Sequence, residues 1–126
     1  MIMYCISKLL GKSRPVLTKC EQMWDYIYCD DAARALYLLG DKGKNQAVYN
    51  LGSGKARPLS EYIYTLRDAV DPGLEVGIGE LEYAQDQVMH LCADISSLRK
   101  DTGFEPATGF AEGIGRTVKW ARENRG

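Results

Sequence analysis

The sequence contains one histidine, no Cys-x-x-Cys pair, and no apolar run approaching the ~20 residues of a membrane span. The first two shortages remove the usual ligand sets for zinc. The third removes a transmembrane helix, so no membrane partner is expected. Cys5, Cys20, Cys29 and Cys92 are scattered, as reduced thiols are in a cytoplasmic protein. Excess charge is also missing: 16 basic and 17 acidic residues leave a formal net charge of -1. Neither a nucleic-acid nor a membrane-surface partner is expected from that balance. Met1–Leu10 is apolar but short, without a small-residue cleavage site, and is not read as a signal peptide. Repeats, low-complexity segments and linkers are absent.

What is present is an ordinary globular composition, 45% hydrophobic and 26% charged over 126 residues. That length gives one small domain, 1–126, with one modest core. The chain is organised around Trp24–Leu36. Tyr26–Cys29 is an aromatic and β-branched run, expected as a buried strand. Asp30 is expected to cap the helix that follows, with Asp31 adding charge at its positive end. Ala32, Ala35, Leu36 and Leu39 fall on one face of that helix. Gly40 and Gly43 are expected to end it.

Elsewhere, Ile2, Ile6, Leu9 and Leu10 predict a helix over residues 1–10, stopped by Gly11. Arg14–Thr18 reads as extended. Ala47–Leu51 reads as a buried strand entering a tight Gly52-Ser53-Gly54 loop. This loop is no dinucleotide fingerprint, for it lacks the third glycine and the acidic ribose ligand. Leu59, Tyr62, Ile63, Leu66, Ala69 and Val70 predict a helix over 59–70. Leu74, Val76 and Ile78 alternate as a half-buried strand would. Asp94 is expected to cap a short helix over 95–101 closed by Gly103, with Ala93 and Leu98 as its hydrophobic staple. A last helix over 110–124 should bury Phe110, Ile114, Val118 and Ala121. Gly113 and Gly115 within it imply close backbone packing. Asp25 is expected to bond local backbone, and His90 to pack in a strand or loop.

Several blocks carry a resemblance. Trp24-Asp25-Tyr26-Ile27-Tyr28-Cys29-Asp30-Asp31-Ala32-Ala33-Arg34-Ala35 resembles the Arg-Asp-Tyr/Phe-Val/Ile-x-Val-Asp-Asp-x-Ala-x-Ala segment of the extended short-chain dehydrogenase/reductases. These are the NAD-dependent epimerases and dehydratases of nucleotide sugars. Val48–Gly54, Ala93–Leu98, Thr102–Pro106 and the helix with Glu112-Gly113 and Thr117–Trp120 match the family in order. The blocks cover nearly the whole chain but only the C-terminal part of the family.

The resemblance implies an α/β fold class: the C-terminal substrate-binding part, helices with a few short strands, with the Rossmann nucleotide-binding core missing. It implies that Leu17, Thr18, Lys19 and Gln22 face the nucleotide of a nucleoside-diphosphate sugar. It puts Asn50 near the sugar or diphosphate. Trp24 stands where many relatives carry a diphosphate-clamping Arg; an indole can stack or fill space but cannot form that fork. Tyr83-Ala84-Gln85-Asp86-Gln87-Val88 occupies the region of a second such Arg, whose slot is Ala84. Either Gln22, Gln87 and Lys19, with Tyr83, hold a differently bound ligand there, or the substrate differs.

The family's chemistry removes a hydride to NAD, rearranges the sugar and returns the hydride. That needs a glycine-rich turn and a Tyr/Lys acid–base pair. Tyr4 and Lys8 have the pair's spacing, but with eight Tyr and eight Lys such a match is common by chance, and they are read as a surface or packing pair. No catalytic, cofactor-binding or metal-binding residue is therefore assigned to this chain. NAD belongs to the complete enzyme, and the chain alone is expected to be inactive. Its expected partners are the sugar nucleotide and a missing N-terminal Rossmann half, or a second copy through exposed apolar surface. The alternative is a stand-alone, non-catalytic sugar-nucleotide-binding or interaction module.

Overall fold

Apolar residues at helical spacing decide most of the architecture. The computed structural model describes residues 1–124. Its elements run α1 (Ile2–Leu10), β1 (Met23–Trp24), α2 (Cys29–Lys42), β2 (Arg57–Pro58), α3 (Leu59–Val70), α4 (Ser96–Thr102) and α5 (Phe110–Glu123). The chain is helix-rich with two short strands, in line with the expected architecture.

Helices α1, α3 and α5 pack together around Ile6, Leu9, Tyr62, Ile63, Leu66, Ile114, Val118 and Ala121. Tyr26 enters this cluster from the segment after β1. Its ring meets Tyr62 edge-on at 4.9 Å, and Tyr62 meets Phe110 at 4.5 Å. A second cluster of Ala35, Ile95, Leu98 and Phe104 seals α2 onto α4. The first turn of α3 has Pro58 at its N-cap, so no side-chain hydroxyl is available there. Backbone carbonyls replace it: Leu59 N–H donates to Gln22 O and Ser60 N–H to Cys20 O, both at 2.8 Å.

β1 and β2 are antiparallel, with Met23 opposite Pro58 and Trp24 opposite Arg57. A parallel bridge joins Met23 to His90, and another joins Val16 to Gly77. The extended reading of Arg14–Thr18 thus holds at Val16.

The expected strands need correction. Tyr26–Cys29 forms none: pairing stops at Trp24, and α2 begins at Cys29 with Tyr28 as its N-cap. Tyr26 is spent on the aromatic cluster, and no described strand lies beside residues 26–28. Ala47–Leu51 forms no strand and is unpaired, and Val48 is 91% exposed rather than buried. A run of strand formers becomes a strand only when a ladder partner accepts its N–H groups. Around Leu74–Ile78 the alternation of half-buried side chains holds, but pairing shrinks to the single bridge at Gly77.

Helix ends need smaller corrections. Asp30 is exposed inside the first turn of α2 rather than capping it, Gly40 lies within the helix, and Leu36 is 61% exposed. Asp94 does serve α4, accepting from Ser96 N–H at 3.0 Å, and Gly103 closes that helix at φ +73°. In α5 a Cβ on Gly113 would lie 2.8 Å from Tyr28 Cδ2, so close packing explains that glycine. Nothing lies within 4 Å of a Cβ on Gly115.

Candidate functional site

Gln22 and Trp24 alternate along β1 and its approach, so both side chains point to one side of the strand. Leu17 and Thr18 come from the extended piece bridged to Gly77, and Gln87 from the loop before His90. These five line one cavity of about 430 Å³, closed by Val16, Cys20, Tyr26, Leu59 and Leu81. No charged side chain lines it. Gln22 is 4% exposed and Leu17 is 7% exposed. Two buried polar atoms here find no hydrogen-bond partner among the described residues: the acceptor Gln22 Oε1 and the donor Trp24 Nε1.

The two titratable side chains of the wall stay neutral. Burial pushes the Tyr26 hydroxyl up to about 12, with Tyr62, Cys5 and Cys20 adding to the rise. Burial also raises the Cys20 thiol, against a hydrogen bond with Thr18 that lowers it. A wall without ionised side chains can bind a planar, uncharged ligand, and its side chains offer no base or nucleophile at neutral pH.

Three of the expected ligand contacts stand apart from this cavity. Lys19 is exposed beside it. The Tyr83 hydroxyl accepts from Glu21 N–H at 3.0 Å and donates to Glu21 Oε2 at 3.3 Å, bracing the neighbouring loop. Asn50 lines a separate cavity of about 320 Å³ with Asp25, Gly52, Leu91 and Cys92, and its amide donates to Asp94 O. Leu59 and Leu81 were not foreseen as cavity residues. They reach it from an α3 start and a loop, positions with no local signal in the sequence.

Asp25, next to Trp24 in the chain, ties the end of β1 to the glycine loop. Its carboxylate accepts from Ser53 N–H and Gly54 N–H, both at 2.9 Å, and from Ala93 N–H at 3.2 Å. The partners are backbone, as expected, but distant in sequence rather than local. A Cβ on Gly52 would lie 2.7 Å from Asp25 Oδ2, which is why glycine stands there.

No family model matches the chain. Among curated proteins, it is 29% identical over 125 residues to a dTDP-glucose 4,6-dehydratase of Escherichia coli, covering 94% of this chain and 35% of that one. A dTDP-glucose 4,6-dehydratase of Neisseria gonorrhoeae is 28% identical over 130 residues, covering 95% and 38%. Among solved structures, a UDP-N-acetylglucosamine 4-epimerase from Methanobrevibacter ruminantium, in complex with UDP-N-acetylmuramic acid, superposes with a TM-score of 0.88 at 28% identity. That match covers 99% of this chain and 40% of that one. The chain is a relative of the extended short-chain dehydrogenase/reductases. It corresponds to their C-terminal part and spans little more than a third of the length of the curated relatives it matches.

The glycine loop of this short-chain dehydrogenase relative does not fit an NAD pyrophosphate. The N–H groups of Ser53 and Gly54 that would cradle a phosphate are already engaged by the Asp25 carboxylate, and a second anion would meet that charge. Tyr4 and Lys8 behave as a surface pair. The Tyr4 hydroxyl accepts from Val16 N–H at 3.4 Å, and Lys8 Nζ lies 5.9 Å from the Tyr4 ring centroid. His90 contributes its backbone to the bridge with Met23, and its side chain is exposed.

Proposed function

We propose that this chain is the substrate-binding portion of an NAD-dependent nucleoside-diphosphate-sugar epimerase or dehydratase, and that its uncharged cavity receives the nucleotide end of the substrate. The observation that carries this reading is the unpartnered pair, Gln22 Oε1 and Trp24 Nε1. A buried polar atom without a partner costs about 1–3 kcal/mol. Both atoms lie beneath the cavity wall, and side-chain rotation that turns the Gln22 amide and the Trp24 N–H toward a heterocycle edge offering an N–H and a C=O recovers that cost, while the indole supplies a face for stacking. Leu17 and Thr18 pack beside the base. Gln87, Lys19 and Tyr83 serve the mouth, and Asn50 contacts the sugar side from its own cavity.

On this reading the hydride steps and NAD belong to residues outside the 126-residue chain, which binds substrate without turning it over, in the cytoplasm. Its other partner is the NAD-binding part of the enzyme. Val48, 91% exposed on an unpaired segment, marks the surface that part covers, and the chain by itself self-associates there. Sedimentation of the purified chain as a monomer at all concentrations would refute the self-association. The same exposed segment also favours the second reading, an interaction module that carries no chemistry.

Titration of the chain, with Trp120→Phe so that Trp24 is the sole tryptophan, with UDP and dTDP, followed by tryptophan fluorescence and calorimetry, tests the main reading. Gln22→Leu is expected to weaken binding about tenfold, the loss of roughly one hydrogen bond in a buried site. Absence of binding to either nucleotide at millimolar concentration would overturn it.

A further inference from the structure

A smaller cavity, of about 170 Å³, is bordered by Lys55, Arg57 and Arg99, with Tyr26, Tyr62 and Phe110 behind them. It shares Tyr26 with the nucleotide cavity. Its charges are unevenly matched. Arg99 forms an ion pair with Glu105 at 2.7 Å, and that carboxylate is the one acid in the wall. Lys55 and Arg57 have no side-chain acceptor among the described residues.

Arg57 is unusual in this respect. Arg14 meets Glu80, Arg34 meets Asp31, Arg67 meets Asp68, Arg116 meets Glu112, and Arg122 meets the Val70 carbonyl. Arg57 alone of the described arginines is left with an empty guanidinium fork. It is not randomly placed: the β1–β2 register fixes its backbone opposite Trp24. Its charge is felt inside the cavity, where it lowers the Tyr62 hydroxyl against the rise from burial. The first turn of α5 also borders the cavity through Gly109 and Phe110, and no side chain caps it. Ala107 and Thr108 N–H are already taken by Asp31, so the fixed cations rather than the loop would meet an anion.

We propose that Lys55 and Arg57 form a phosphate-binding subsite. An unmatched planar fork with a second cation beside it suits a phosphate or diphosphate oxyanion. The cavity next to it, with no charged side chain in its wall, offers no such fork. The subsite stands on its own observations; that its phosphate belongs to a nucleotide rests on the function proposed above.

The test titrates the whole chain with pyrophosphate, UDP and uridine, and repeats this with Arg57→Gln, Lys55→Gln and Arg57→Lys. Both side chains are exposed, so thermal midpoints should match the parent. Each glutamine variant is expected to weaken pyrophosphate and UDP about tenfold, the loss of one charge-assisted contact, and to leave uridine unchanged. Arg57→Lys should keep part of the affinity, since it retains charge without the fork. UDP binding tighter than pyrophosphate identifies a nucleotide as the phosphate's source, and equal affinities identify free phosphate; either result, with the Arg57 dependence, supports the subsite. Pyrophosphate binding that depends on Arg57, with no added gain for UDP or uridine, supports it while overturning the nucleotide reading. Undiminished pyrophosphate and UDP binding by both glutamine variants, or no pyrophosphate binding by the parent chain, overturns the subsite and leaves the nucleotide cavity untouched.

Discussion

Asp31→Asn asks whether one buried carboxylate fastens α2 to the loop before α5. The Asp31 side chain is 4% exposed. Oδ2 accepts from Thr108 N–H at 2.8 Å and Ala107 N–H at 3.0 Å, while Oδ1 takes Arg34 at 3.1 Å. Asparagine offers one oxygen and one NH2 group, so in either orientation a donor faces a donor. At least one charge-assisted bond is lost and one N–H is left without an acceptor, an expected cost of about 2–4 kcal/mol. Burial pushes the Asp31 carboxyl up, but the N–H groups of Thr108 and Ala107, with Arg34, outweigh it and hold it below its ordinary value. The folded chain therefore keeps this proton off more readily than the unfolded chain does. The resulting stability is complete above the unfolded value of about 3.9 and is lost as pH falls through the lower folded value. Urea unfolding from neutrality down to about pH 3 reads this directly. The parent and Asp31→Asn should differ most at neutral pH and converge on the acid side. A gap that stays constant with pH, or one under about 0.5 kcal/mol, refutes the argument.

Further outcomes follow from the same contacts. Asp25→Ala leaves the N–H groups of Ser53, Gly54 and Ala93 unanswered and should cost about 2–4 kcal/mol, with faster hydrogen exchange at those amides. Gly113→Ala should cost about 1–3 kcal/mol in urea unfolding because the new methyl meets Tyr28. Gly115→Ala meets nothing and should add up to about 1 kcal/mol of stability from helix propensity. Tyr62→Phe removes the 2.9 Å bond to Trp24 O and should cost about 1 kcal/mol by the same measurement.

Helices were the legible part of the sequence because their signal is local. The six apolar positions from Leu59 to Val70 marked α3 as observed, and Ile114, Val118 and Ala121 marked the buried face of α5. Strands were not legible in the same way. Val48 and Tyr26 are good strand formers, but a strand also needs a neighbour, and the run alone does not reveal one. The long-range bonds of the carboxylates are hidden for a related reason. Asp25 is expected to bond local backbone and Asp31 to add charge at the start of α2, yet their backbone partners lie 28 to 77 residues away. Within the site, Leu17, Thr18, Gln22 and Trp24 came together because they are nearly contiguous. Asn50 was grouped with them by resemblance, and it lines a different cavity.

The turn at Lys44–Ala47 is exposed, yet the chain on either side of it is tied across. From the earlier half, Asp25 reaches Ser53, Gly54 and Ala93, Asp31 reaches Ala107 and Thr108, and Lys44 reaches Asp101 at 2.7 Å. A protease that nicked this turn would cut the polypeptide without separating it. The two pieces would travel together through a sizing column at neutral pH, held also by the packing of α1 on α3 and α5, which makes the turn a natural place to split the chain into complementing fragments.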